Sequence, residues 1–134
     1  MKVLFDTNVL ISAGMSPHGK PREALSKAVT FYDACVCQAS LKELDETFQK
    51  KFPKQLDDLK KFLNLFLPHM KIIQVPDEEI PLEKKIRDID DRLILRAAVK
   101  AEIDIIISGD KDLLESGVKD PAILTPFQFT MWNF

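Results

Sequence analysis

Several carboxylates stand where short apolar runs give way to polar residues. Asp6 directly follows Val3-Leu4-Phe5, and Asp110 and Asp112 follow a second apolar run in IIISGDKDLL. Asp91 lies near the start of IDDRLILRAAVKAE, while Glu43 and Glu46 belong to ASLKELDETFQKKF. A charge placed directly after a buried strand is costly unless it is paired or bound to something. Carboxylates that gather repel, and each raises the pKa of its neighbours. A fold keeps such a group only if a cation neutralises it or some of the acids stay protonated. Carboxylate oxygens suit hard divalent ions, Mg²⁺ or Mn²⁺, which keep several waters and open positions. One or two such ions, activating a water and clamping the leaving oxygen, are what phosphodiester hydrolysis needs.

Most of these acids also have a purely structural explanation. Asp88, Asp90 and Asp91 all suit a helix start, where side-chain oxygens accept orphan N–H groups and the macrodipole favours negative charge; for Asp88 and Asp90 this is the expected role. Asp112 fits equally well as a first-turn acid of a short helix. Glu46 reads as a solvent-facing helix residue, and it is the substitute if Glu43 lies away from the others. Asp6 is the hardest to explain by structure alone.

The elements that must position these acids can be read from apolar patterning. KVLF (residues 2–5) is a short apolar run of the kind found in a strand buried on both faces. NVLISA supports a helical turn or two, and GMSPHG is a loop by its Gly and Pro content. KPREALSKAVT places Ala24, Leu25, Ala28 and Val29 at helical spacing, and FYDACVCQ reads as a second strand. A helix over 39–52 follows, with Leu41, Leu44 and Phe48 on one face. Another begins near Pro53 and carries Leu56, Leu59, Phe62, Leu63 and Phe66. KIIQV is the third strand, closed by Pro76. Asp88 reads as the N-cap of a helix over 89–102, which makes Asp91 its third residue. IDIIIS is the fourth strand, DKDLLES a short helix, AILT the fifth strand, and Pro126 opens a last helix.

Strands alternating with helices predict a three-layer α/β/α fold with a central parallel five-stranded sheet, as one domain over residues 1–134. Ligands of such sheets bind beyond the carboxyl ends of the strands, where the strand order reverses. The first strand is expected at the centre, so that Asp6 faces acids from both sides.

Composition narrows the function classes less sharply. A chain of 134 residues, 46% hydrophobic and 30% charged, is long enough to bury a substantial core. No apolar run approaches the ~20 residues of a membrane helix, and the N-terminus lacks a signal-peptide layout, so a cytoplasmic protein with no membrane association is expected. The net charge of −2 does not advertise a nucleic-acid binder, although lysines concentrate between Lys50 and Lys61. Cys35 and Cys37 lie two apart on a strand, facing one side as small hydrophobes rather than forming a redox or zinc motif. His18 and His69, each in a Pro-containing segment, read as surface residues. Trp132, Phe127, Phe129 and Phe134 crowd the C-terminus, either as a helix docking on the sheet or as a contact with a partner.

LFDTNVLISA, SLKELDETF, DIDDRLILRAAVKAEIDIIISGDKDLL and ILTPFQF together resemble the PIN-domain family (PilT N-terminus), in order and along the whole chain. Within it they are similar to the toxin-like ribonucleases of bacterial and archaeal toxin–antitoxin modules. D-T-N alone is a weak signal and G-D-x-D-L-L a moderate one. With the acidic helix between them, and Asp110 standing 19 residues after Asp91, the set is specific. The resemblance implies that Asp6, Glu43, Asp91 and Asp110 are the catalytic, metal-binding acids, with Asp112 as an auxiliary metal ligand and Mg²⁺ or Mn²⁺ as the ion. It implies that Asn8 hydrogen-bonds Asp6 or its loop and that Ser108 is a small hydroxyl residue near the metal. Arg92 departs from the pattern, standing where Asn or another small polar residue is expected. The implied activity is metal-dependent endonucleolytic hydrolysis of single-stranded RNA by the toxin of a toxin–antitoxin pair, with a cognate antitoxin and a second copy of the chain as partners. Lys20, Arg22, Lys42, Lys50 and Lys51 are candidates for salt-sensitive contacts to the RNA backbone.

Two other classes compete. An aspartyl-phosphate phosphatase of the haloacid-dehalogenase type also places an Asp after its first strand, but needs a second Asp two residues later, where this chain has Asn8. A non-enzymatic module, either a receiver-like phosphoacceptor or a degenerate PIN scaffold, is the third reading. The receiver would want paired acids that are missing here, and the degenerate scaffold should have lost acids that are all present.

Overall fold

The computed structural model describes residues 1–132. Five parallel strands form one sheet in the order β3-β2-β1-β4-β5, with β1 (Lys2–Phe5) at the centre, as expected. β2 (Asp33–Cys37) and β4 (Ile105–Ile107) flank β1, and β3 (Lys71–Ile73) and β5 (Ala122–Leu124) are the edges. The register pairs Phe5 with Val36 on one side and with Ile107 on the other. The strand order reverses about β1, so a crevice opens at the carboxyl ends of β1, β2 and β4.

The pleat divides the central strands between two cores. Val3, Phe5, Ala34, Val36, Ile105 and Ile107 pack beneath α1 (Thr7–Met15), α2 (Lys20–Phe31), α3 (Gln38–Lys51) and α4 (Leu56–Phe66). Leu4, Cys35, Cys37, Ile73 and Ile106 pack beneath α5 (Ile89–Lys100) and α6 (Lys111–Leu114). Covering both faces is what lets these strands be continuously apolar. Leu4, Phe5 and Ile106 are fully buried, each contributing about 1.5–3 kcal/mol by burial. Cys35 and Cys37 do share one face and are free and buried. Burial, with the nearby charge of Asp6, pushes the Cys37 thiol up to about 12, so it behaves as a small hydrophobe.

Several elements differ from their sequence outlines for local reasons. The turn or two expected after β1 is a nine-residue helix, α1, joined to the strand without a loop because Asp6 itself caps it. β1 matches KVLF, while the other four strands are shorter than their outlined runs; in FYDACVCQ, Phe31 still belongs to α2. Pro53 opens a short 3₁₀ turn (Pro53–Gln55) rather than α4 itself. Another 3₁₀ turn, Pro81–Lys85, lies in the connection to α5 and carries the buried Glu83. Helix α5 ends with Glu102 in the left-handed region, at φ 57°, which turns the chain into β4.

The C-terminal aromatics belong largely to packing. Helix α7 (Pro126–Met131) is capped by Thr125, which exchanges hydrogen bonds with Gln128. It docks mainly on α2, with Phe129 fully buried against Tyr32 and Trp132. Phe127 stays exposed. Phe134, included in the sequence-based reading, lies outside the described residues. His18 and His69 are exposed, as read from their segments. No described helix is long and apolar enough to cross a membrane.

Candidate active site

The chain turns at the carboxyl end of β1 through Asp6. Its backbone is extended, and its Oδ1 accepts the Thr7 N–H at 2.7 Å. Its Oδ2 accepts the Ser108 hydroxyl at 2.8 Å, across from the end of β4. Ser108 is fully buried, and its Oγ also accepts the Asp110 N–H at 3.0 Å. One hydroxyl therefore ties the acid after β1 to the loop that presents the acid after β4. Asp110 in turn caps α6, accepting the Asp112 N–H at 2.8 Å.

Asp88 caps α5 by accepting the N–H groups of Asp90 and Asp91 at 2.8 and 3.3 Å, which sets Asp91 one turn in and pointing at the same crevice. The third helix start is fixed by a contact that the sequence does not reveal. The Thr7 hydroxyl donates to Ser40 Oγ at 2.8 Å, both groups being buried, and so locks α3 against the start of α1. Glu43 lies one turn further along α3, on the same side as Ser40.

Asp6, Glu43, Asp91 and Asp110 line one cleft of about 400 Å³, together with Thr7, Asn8, Asp88 and Asp90. No lysine or arginine is among its described lining residues. Glu46 is exposed and is not part of the lining.

This concentration of negative charge shows in the proton affinities. Burial raises the Asp6 carboxyl, and the charges of Asp110 and Glu43 raise it further, against the lowering effect of the Ser108 and Thr7 hydrogen bonds. Asp91 is pushed up to about 7, first by burial, then by the charges of Asp110 and Asp6. Its Oδ2 is buried and has no hydrogen-bond partner among the described residues. An orphaned buried carboxylate oxygen beside other anionic oxygens is a donor set suited to a hard divalent cation.

Asp112 stands beside this group with its Oδ1 at 2.8 Å from the exposed Arg87 Nη2. One oxygen each from Asp88, Asp91 and Asp112 lie within 4.8 Å of one another. Asp88 thus caps α5 and also stands close to Asp91 and Asp112, a proximity the capping pattern alone did not disclose.

Other expectations change in detail. Asn8 makes no side-chain hydrogen bond among the described residues, so it does not hold Asp6; the Thr7 N–H and Ser108 do, because they sit closer to the two carboxylate oxygens. Arg92, the departure from the family pattern, turns to donate to the Ile86 carbonyl at 2.6 Å and so braces the loop before α5. Arg22 is half-buried, donates to the Ala13 carbonyl at 2.7 Å and stacks on Phe62 and Phe66. Lys20 pairs with Glu23 and lies over the Phe127 ring. Lys42, Lys50 and Lys51 are exposed on α3.

A parallel sheet with acids converging at its switch point defines a class of α/β proteins that present carboxylates to a ligand at the strand ends. Comparison with known proteins names the family. A PIN-domain family model matches residues 2–112, and the chain belongs to that family. Its fold is similar to a chain in the crystal structure of VapBC2 from Rickettsia felis bound to a DNA fragment from their promoter. There the identity is 17%, the TM-score 0.67, and the match covers 92% of this chain and 97% of that one. It is also similar to PAE2754 from Pyrobaculum aerophilum, at 15% identity and a TM-score of 0.62, covering 98% of this chain and 94% of that one. No curated protein sequence matches the chain.

Proposed function

We propose that this protein is a Mg²⁺- or Mn²⁺-dependent endoribonuclease that hydrolyses phosphodiester bonds of single-stranded RNA, as the toxin of a cytoplasmic toxin–antitoxin pair. The convergence of Asp6, Glu43, Asp91 and Asp110 on a cleft with no lysine or arginine in its described lining, with one buried Asp91 oxygen left without a partner, supports this function most directly. These four acids would hold the cation, with Asp112 as an auxiliary ligand. When bound, the cation supplies Lewis acidity toward a phosphodiester and lowers the pKa of water.

The chain's own groups prepare that site. Ser108 orients Asp6 and, through the Asp110 N–H, the loop carrying Asp110. Thr7 fixes α3, and with it Glu43, through Ser40. With its carboxyl pushed up to about 7, Asp91 is only partly ionised near neutral pH in the metal-free protein, which moderates repulsion there. Membership of the PIN-domain family supports nuclease chemistry, and the likeness to a chain of a VapBC2 complex supports an antitoxin partner. Exposed Phe31 and Met131, on the packed α2 and α7, suit contact with a second copy.

The test is cleavage of an end-labelled single-stranded RNA with and without Mn²⁺ by wild type, Asp6→Asn and Asp110→Asn. Metal-dependent cleavage by wild type alone is expected. Wild-type-like cleavage by both variants would locate the activity elsewhere. Metal binding without any cleavage would favour a binding module built on the same scaffold.

A further inference from the structure

A second groove of about 400 Å³ adjoins the acid cleft and shares two of its residues, Asn8 and Asp110. Its volume falls within the ~300–1,000 Å³ typical of small-molecule sites. Val9, Ser12, Pro21, Gly109 and Pro126 complete the wall. The two spaces differ in charge. Asp6, Glu43, Asp88, Asp90, Asp91 and Asp110 all line the cleft, whereas Asp110 is the single acid lining the groove. A polyanion bound at the cleft needs an exit that does not repel it, and this groove is contiguous with the cleft. Asn8, at the shared lip, is exposed and has an amide with no hydrogen-bond partner among the described residues. Lys20 and Phe127 are the sequence neighbours of the lining residues Pro21 and Pro126; both are exposed, and Lys20 Nζ, paired with Glu23, lies 5.7 Å from the Phe127 ring centroid. A flat aromatic beside a cation is what single-stranded nucleic acid uses, the base stacking on the ring and the ammonium meeting the phosphate.

We propose that this groove, together with the Phe127–Lys20 pair that follows and precedes its two prolines in sequence, is a nucleotide subsite next to the scissile bond: Phe127 stacks the base, Lys20 exchanges Glu23 for its phosphate, and Asn8 hydrogen-bonds the strand as it passes between the two spaces. The subsite rests on the ribonuclease reading. It selects unpaired RNA because a base held in a duplex cannot lie against Phe127.

Gly109 offers a direct way to fill the groove. A side chain added there meets nothing within 4 Å, and its backbone is outside the left-handed region, so Gly109→Leu occupies open space without strain. The parent for the test is the full chain carrying Asp6→Asn, which leaves RNA uncut, titrated into a labelled single-stranded RNA of about ten nucleotides with Mg²⁺ and followed by fluorescence anisotropy. Phe127→Ala should weaken binding roughly tenfold, Phe127→Trp should retain it, and Gly109→Leu should weaken it. Lys20→Ala should lower the slope of log affinity against log salt by about 0.7. An RNA with one abasic nucleotide in this position should bind the parent as weakly as intact RNA binds Phe127→Ala, and the two losses should not add. Parent-like affinity in both Phe127→Ala and Gly109→Leu, or fully additive losses, would overturn the subsite alone. A parent that binds no RNA, together with a wild type that cuts none, would overturn the ribonuclease reading and the subsite with it.

Discussion

Helix α5 carries two ionisable groups whose surroundings could hardly differ more. At its start, Asp91 faces Asp110 and Asp6 and is pushed up to about 7. A turn and a half later, Arg96 meets the buried Glu83 in a fork, Nε to Oε1 at 2.9 Å and Nη2 to Oε2 at 2.8 Å. Glu83 also accepts the Ile80 N–H at 2.8 Å, and the Arg96 hydrogen bond leads in drawing it down to about 2. Arg96 donates further to the Pro76 and Asp77 carbonyls at 3.1 and 3.4 Å, so the pair pins the long β3–α5 connection to the helix. Each region buries a carboxylate against the same helix, Asp91 on α5 itself and Glu83 on the 3₁₀ turn before it. One is complete within the chain and holds structure together, while the other is charged beyond what the described lining of its cleft neutralises.

The largest effect should come from the incomplete region. Asp6→Asn and Asp110→Asn are each expected to lower metal-dependent RNA cleavage on the order of 10³-fold, measured at saturating Mn²⁺, while the fold is kept. Asn retains the shape and removes one charge from a crowded group, so the metal-free variants should melt no lower than wild type.

Breaking the complete region should do the opposite. Arg96→Met leaves Glu83 buried without its partner and should lower the melting temperature by roughly 10 °C, with the acids of the cleft themselves unaltered. A variant as stable as wild type would show that the pair does not hold the connection.

Mn²⁺ should stabilise wild type by about 2.7 kcal/mol at a hundredfold excess over Kd, seen as a rise of roughly 8 °C in differential scanning calorimetry. Asp6→Asn and Asp110→Asn should respond much less, and Arg96→Met should respond like wild type from its lower starting point.

pH separates the two regions by sign. Asp91 rises from 3.8 to about 7 on folding, so between these values the folded chain holds the extra proton. Metal-free stability should therefore fall as pH rises through that window, and Asp91→Asn should flatten the profile. Mn²⁺ affinity should climb with pH toward 7, because the cation must displace that proton. Glu83 drops from 4.5 to about 2, so its contribution is full above 4.5 and is lost as pH falls toward 2.

The smallest effect belongs to Arg87. Its pair with Asp112 is solvent-exposed on the arginine side, so Arg87→Ala should change stability by less than about 1 kcal/mol.

Much of this was legible in the residues themselves. A backbone N–H at a helix start must find an acceptor, which is why Asp88 could be read as a cap and Asp91 placed at the third position of its helix, whereas the Thr125 cap of α7 emerged only with the structure. Apolar runs bounded by Gly, Pro and Asp identified the strands, and their alternation with helices required crossovers and hence a parallel sheet. Asp6, directly after a run that has to be buried, signalled an acid with a purpose beyond solubility. Tertiary structure alone decided what each acid faces. Ser108 bridges Asp6 and the Asp110 backbone across 102 positions of sequence, and Thr7 reaches Ser40 across 33. The family resemblance placed Ser108 near the acids but not its bond to Asp6, and nothing in the string of residues marks Thr7 as a partner of Ser40. Glu83 and Arg96 likewise read as two more charges on polar stretches, until the fold removed water from both and left each the other's partner. Local preference is set by neighbours along the chain, whereas proton affinity and pairing are set by neighbours in space, and these exist only once β1 has taken its place between β2 and β4.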